Sequence, residues 1–164
     1  MTTMTTPLAT GLALGLALGL AAGCSSSTVV EPDPVPADYT SWFRLDTTGE
    51  VPGHGDTYRI IYVNDTGTGF VGAGEYGNGT VIVKEVHDLD GDQPGDLQYI
   101  AVMRKLTTPP DGGELQGITQ DDGSGWLFTY LADGIDSDEQ NDLSCYDTCH
   151  RAAPIDHTFF DYGQ

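Results

Sequence analysis

Basic residues are scarce in this chain. Six Lys and Arg face 25 Asp and Glu, for a net charge of −19 at pH 7. Affinity for nucleic acid comes from cations that neutralise phosphates, so that class of partner is excluded. Anionic lipid headgroups would repel the same surface, whereas a basic protein would be drawn to it. The plainer reading of the charge is a solubilising coat. Cysteine occurs three times and methionine three times, and Met1 and Met4 fall in the leader, which leaves Met103 as the internal thioether. No helical periodicity of useful length runs from residue 45 to the final segment, which excludes a helix bundle. No internal repeat occurs, which excludes solenoids and propellers. A G-x-S-x-G elbow is missing too, Gly123-Ser124-Gly125 being only superficially close, so hydrolase chemistry of that kind has no support.

Long apolar runs are also lacking beyond the N-terminus. Residues Leu8–Ala22 (LATGLALGLALGLAA) are uncharged, match a secretory h-region in length and are short for a membrane span. Small residues Ala21-Ala22-Gly23 before Cys24 resemble a bacterial lipobox, in which the peptide is cut before the cysteine and Cys24 is acylated. The pattern departs from the usual one in two ways: no Lys or Arg precedes Leu8, and Ala21 stands where Leu is usual. An ordinary signal peptide or a misplaced start codon is the alternative. Ser25–Ala37 (SSSTVVEPDPVPA) is rich in Ser and Pro and reads as an extended spacer. The expected organisation is a lipoprotein-type signal peptide over 1–23, a linker over 24–37 and a domain over 38–164. The expected location is the bacterial cell envelope, periplasm-facing or at the outer membrane, with membrane contact only through acyl chains on Cys24.

What remains is rich in β-branched and aromatic residues between Gly, Asp and Pro. Asp38 with Tyr39, Trp42 and Phe43 reads as a capped short helix. Thr57–Asn64, Thr80–His87, Leu97–Lys105 and Trp126–Leu131 read as strands. Phe70–Tyr76 is a weak strand or loop, and Leu115–Thr119 a further edge. The fold class is mainly β (α+β): an antiparallel sheet or small sandwich, with a short N-terminal helix and a C-terminal helical segment.

The acidic stretch Asp88–Asp96 places carboxylates at alternate positions, as a calcium loop does. Gln93 stands where the loop's glycine belongs and Tyr99 where its bidentate glutamate belongs, so a hairpin loop is the better reading. Asp136–Glu139 reads the same way. The densest chemistry is Cys145-Tyr146-Asp147-Thr148-Cys149-His150. Two thiols followed at once by a histidine suit covalent haem attachment, with the imidazole as axial ligand. The usual spacing has two residues between the cysteines, and this segment has three. A Cys145–Cys149 disulfide is the structural alternative in an exported protein. A zinc site with His157 as fourth ligand is awkward, because all ligands would come from one short segment.

Tyr39-Thr40-Ser41-Trp42 comes first, then His54-Gly55, Arg59–Asn64, Gly79–Glu85, Val102–Lys105 and the Cys–His segment with Asp156 and Phe159 behind it. In this order the segments resemble the cytochrome P-460 family, a mainly β group of exported haem c proteins, over nearly all of residues 38–164. The resemblance implies a five-coordinate haem c on Cys145, Cys149 and His150, with one open axial face. Hydroxylamine-oxidising members carry a lysine bonded to the haem edge, while cytochrome c′-β relatives lack that bond and bind nitric oxide. Lys84 falls in the matching strand. Strand parity groups Lys84 with Ile82 and Val86, and Glu85 with Val81 and Val83. Both faces are apolar, so periodicity leaves open which charge is buried, and a surface Lys84 paired with a carboxylate is the alternative. Arg59, alternating with Ile61 and Val63, is a candidate to hold an oxyanion or a haem propionate. Met103 could be a sixth ligand in an electron carrier, though a core role suits its strand better. His54, His87 and His157 read as surface or hydrogen-bonded histidines.

The resulting expectation is an exported mono-haem c protein that oxidises hydroxylamine at an open haem face. The alternatives are a nitric-oxide-binding or electron-transfer haem protein, and a haem-free β module with a Cys145–Cys149 disulfide. Expected partners are the small nitrogen species, a basic electron-transfer protein and a second copy in a homodimer.

Overall fold

Strands leave backbone N–H and C=O groups unpaired along both edges, and antiparallel pairing of sequence neighbours satisfies them. In the computed structural model this gives, among the described residues, one six-stranded antiparallel sheet with its strands in chain order. The structure describes residues 33–51, 53–70, 72, 74–106, 125–141 and 143–163. The leader with Cys24, the edge expected at Leu115–Thr119 and Gly123-Ser124 lie outside them.

The strands are β1 (Phe43–Val51), β2 (Gly55–Val63), β3 (Val81–Asp90), β4 (Gln93–Lys105), β5 (Trp126–Leu131) and β6 (Glu139–Asn141), each paired with the next in the chain. The four expected strands within the described residues form, and β5 spans the expected residues. The stretch Asp88–Asp96 is a hairpin, with Asp90 opposite Gln93 and Gly91 at φ 63° supplying the left-handed first position of a two-residue turn. The described residues of Phe70–Tyr76 lie outside any strand, and the Phe70 ring stacks on Tyr76 at 4.1 Å.

Two differences stand at the N-terminal side. The expected helix is a single 3-10 turn, Tyr39–Ser41, and the Asp38 side chain makes no capping bond. Phe43, expected on the inner side of that helix, opens β1 instead. β1 is an edge strand whose outward positions carry Arg44 and Asp46, paired at 2.9 Å, so its apolar alternation is diluted by charges that keep an edge from aggregating. Packing also starts ahead of Asp38, because Val35 is already buried.

The sheet has two covered faces. One carries Ile60, Tyr62, Val83, Ile100, Val102 and Leu131 against Val35 and Tyr39. The other carries Ile61, Val63, Ile82, Trp126 and Phe128, and meets Phe70, Tyr76, Tyr146 and Tyr162. A short helix, α1 (Asp65–Thr68), follows β2; Asn64 Oδ1 accepts the Gly67 N–H at 3.1 Å, and a methyl added to Gly67 would collide with Val63 and Thr80. The chain ends on the second face with α2 (Leu143–Thr148) and a 3-10 turn, His150–Ala152.

Candidate functional site

Between that second face and the C-terminal segment lies a cavity of about 530 Å³, within the range of about 300–1,000 Å³ usual for cofactor and ligand sites. Register builds its wall in rows. Ile61, Lys84, Ala101 and Tyr130 are successive cross-strand partners, and so are Val63, Ile82, Met103 and Phe128. The small side chain of Ala101 leaves room beside Lys84, while Met103 and Phe128 close the deeper row. Met103 therefore packs on the core and faces the cavity at once.

The opposite wall comes from the end of the chain. The Cys149 N–H continues the α-helical pattern to the Cys145 carbonyl at 3.3 Å, so the two cysteines sit one turn apart on the same face. Both line the cavity and their sulfurs are not joined to each other. The three-residue gap between them is thus what a helix needs to present both thiols to one side. His150 follows and lines the same cavity, its ring 5.1 Å from Phe128 and 5.3 Å from Phe159. Its Nδ1 lies 2.7 Å from the His157 carbonyl. A carbonyl only accepts, so Nδ1 carries the proton and Nε2 keeps its lone pair. Burial pushes the His150 pKa down, which favours this neutral form.

The two charges that parity left undecided are both partly buried, Lys84 on the cavity face and Glu85 on the other. Lys84 lines the cavity, with Nζ 2.8 Å from His54 Nε2. His54 Nδ1 is in turn 2.8 Å from the Tyr99 hydroxyl. The Lys84 ammonium donates to Nε2, which leaves Nδ1–H of His54 to donate to Tyr99. Burial lowers the Lys84 pKa to about 8, against the pull of the two cysteines. Burial, with the Lys84 charge next, lowers His54 to about 4, so its imidazole is neutral at pH 7. Glu85 points to the other face, where its carboxylate accepts the Tyr39 hydroxyl at 2.5 Å and meets His87 at 3.2 Å.

The Cytochrome P460 family profile matches residues 36–160. The chain belongs to the cytochrome P460 family. No curated protein matches it. Membership makes this a haem protein, and the cavity of this P460 domain can be tested against that group. Two thiols and an imidazole with an open Nε2 share one wall, and the facing wall is mostly apolar with a single amine. This donor set fits a haem held by Cys145, Cys149 and His150. It does not fit zinc: among the described residues no three His, Cys, Asp or Glu side chains gather as a metal ion would require.

The remaining candidates are placed as follows. Arg59 is buried on the cavity-facing side of β2 but does not line the cavity; its Nη1 donates to the Gly49 carbonyl at 2.9 Å and to Thr57 at 3.0 Å. Its charge still acts at a distance and contributes to lowering both Lys84 and His54. His87 belongs to the opposite face. His157 contributes its backbone carbonyl, and its own Nδ1 lies 3.2 Å from the His150 carbonyl. His54 is hydrogen-bonded, as the sequence led one to expect, but its place in the cavity wall beside Lys84 was not foreseen, nor was that of Tyr99. The signal for His54 was its place beside Gly55 in the ordered segments; Tyr99 had none.

Proposed function

We propose that this P460 domain is an exported mono-haem c protein that oxidises hydroxylamine. The observation that carries the reading is the placement of Cys145 and Cys149 one helical turn apart on the cavity wall, with the Nε2 lone pair of His150 beside them. The two thiols would form the covalent attachment and His150 would supply the axial nitrogen. Haem, when bound, supplies the redox centre and an open coordination position.

The chain's own residues supply the rest. Ile82, Met103 and Phe128 keep the facing wall dry, which strengthens electrostatics inside the cavity. Lys84, the one lysine lining the cavity among the described residues, is the candidate for the family's haem-edge lysine. Before any such bond forms, Lys84 at pH 7 is mainly the ammonium that donates to His54, and the minor neutral fraction is the proton acceptor, with His54 and Tyr99 extending the hydrogen-bonded chain. A base with a pKa of about 8 lies close to the range in which proton transfer at neutral pH is efficient. Cleavage of the leader and acylation of Cys24 would anchor the domain in the bacterial envelope, with electrons leaving to a basic redox protein.

A second reading, binding of nitric oxide without turnover, is favoured by the apolar rows of the wall and by the hydrogen bond that ties the Lys84 amine to His54. One experiment separates the readings. Expressed in a host competent in haem c attachment, the mature protein should gain the mass of one haem, give a pyridine haemochrome spectrum, and be reduced by hydroxylamine. A red-shifted Soret band lost in Lys84→Ala supports the lysine-modified enzyme. Haem attachment with no hydroxylamine-driven reduction and no shift on Lys84→Ala establishes the gas binder. Native protein with no attached haem and a Cys145–Cys149 disulfide would overturn both.

A further inference from the structure

Lys105 and Asp156 form an almost wholly buried ion pair away from the residues assigned so far. Their side chains are 4% and 5% exposed, and Lys105 Nζ lies 3.1 and 3.0 Å from the two carboxylate oxygens. Desolvating two charges offsets much of their attraction, so such a pair is weak evidence for stability as such. Its placement is more informative. Asp156 Oδ2 also accepts the Tyr76 backbone N–H at 2.7 Å, which brackets the carboxylate between the end of β4 and the loop after α1. Lys105 is itself seated over the Trp126 ring, 5.4 Å from its centre.

The clamped residue sits in the turn Ile155–Thr158, closed by the Thr158 N–H to the Ile155 carbonyl at 2.8 Å. Its two central residues, Asp156 at φ 43° and His157 at φ 66°, are the two non-glycine residues with positive φ among those described. Side-chain-bearing residues hold the left-handed region when their surroundings over-determine it. In that conformation the His157 carbonyl reaches His150 Nδ1 at 2.7 Å.

We infer that Lys105 and Asp156 are positioning residues for the axial ligand: the buried pair holds the left-handed turn, the turn aims the His157 carbonyl, and the carbonyl fixes the proton of His150 on Nδ1. Partners of this kind set the orientation and basicity of a ligating histidine. The inference rests on His150 as the iron ligand, and its test has arms that separate the two.

In haem-loaded full-length protein, the ferrous iron–histidine stretching band and the reduction potential are compared in wild type, Asp156→Asn, Lys105→Met and Lys105→Arg. Asp156→Asn keeps the acceptor for Tyr76 and nearly the same shape, so it reports even where Lys105→Met fails to fold. The band moves to lower frequency and the potential rises in Asp156→Asn and Lys105→Met, while Lys105→Arg restores both toward wild type. In the haem-free full chain, imidazole nitrogen shifts show His150 as the Nδ1–H tautomer. That preference falls about tenfold in the two variants, the size of one hydrogen bond's net contribution. Unchanged bands, potential and tautomer in folded Asp156→Asn overturn the inference while leaving His150 as ligand. A chain that takes up no haem, yet shows the tautomer shift, overturns the ligand assignment and keeps the positioning.

Discussion

At the scale of single residues, the site is a set of donors whose protons are settled by their neighbours. His54 accepts from Lys84 and stays neutral, with a pKa lowered from 6.5 to about 4. Between those values the unfolded chain binds more protons than the folded one, so stability falls as pH drops through this window and is complete above pH 6.5. The gap sets a ceiling of about 3 kcal/mol, which screening at a half-buried ring reduces to about 1–2 kcal/mol. Urea unfolding at pH 7 and pH 4 checks this. Wild type should lose about 1–2 kcal/mol more than His54→Gln between the two, because glutamine accepts from Lys84 without titrating. Equal losses would show that His54 does not carry the proton linkage. This residue also marks the limit of reading the sequence. Cys145, Cys149 and His150 stand out because their chemistry constrains their spacing along the chain. His54 reaches Lys84 and Tyr99 from the turn between β1 and β2, across separations of 30 and 45 residues, and no local pattern records that.

At the scale of elements, a strand could be read from the chain wherever both its faces are buried. Trp126–Leu131 was legible because nearly every residue in it is enclosed. β1 was not, since an edge strand with Arg44, Asp46 and Glu50 on its outer side resembles a polar turn region. β6, at three residues, is too short to carry a period; it is fixed by Glu139, which pairs with the buried Arg104 of β4. The helical pitch of α2 gives an element-level prediction. One alanine inserted between Asp147 and Thr148 turns Cys149 and His150 by about 100° relative to Cys145. Covalent haem retention should then fall at least tenfold by in-gel haem staining, whereas an alanine inserted after Gly91 in the β3–β4 turn should leave it unchanged. Equal retention in both would separate haem attachment from the helical face.

For the whole molecule, the dominant quantity is charge. With 25 acidic and 6 basic residues, encounter with the proposed cationic redox partner would be steered from a distance, and salt would remove that steering once charges lie beyond about 10 Å at 0.1 M. Stopped-flow electron transfer from the haem-loaded domain to a lysine-rich cytochrome should slow by about tenfold or more between low and physiological ionic strength. A rate indifferent to salt would show that the coat serves solubility alone.

The two sheet faces are sealed by opposite ends of the polypeptide, and this sets an order of events during biosynthesis. Residues 33–42 and all six strands emerge before α2. The receptacle can therefore collapse while the segment bearing both thiols is still unstructured and open to enzymes that install a tetrapyrrole. Docking of that last stretch, through Tyr146 and Tyr162, then closes the second face, so haem attachment would have to precede it.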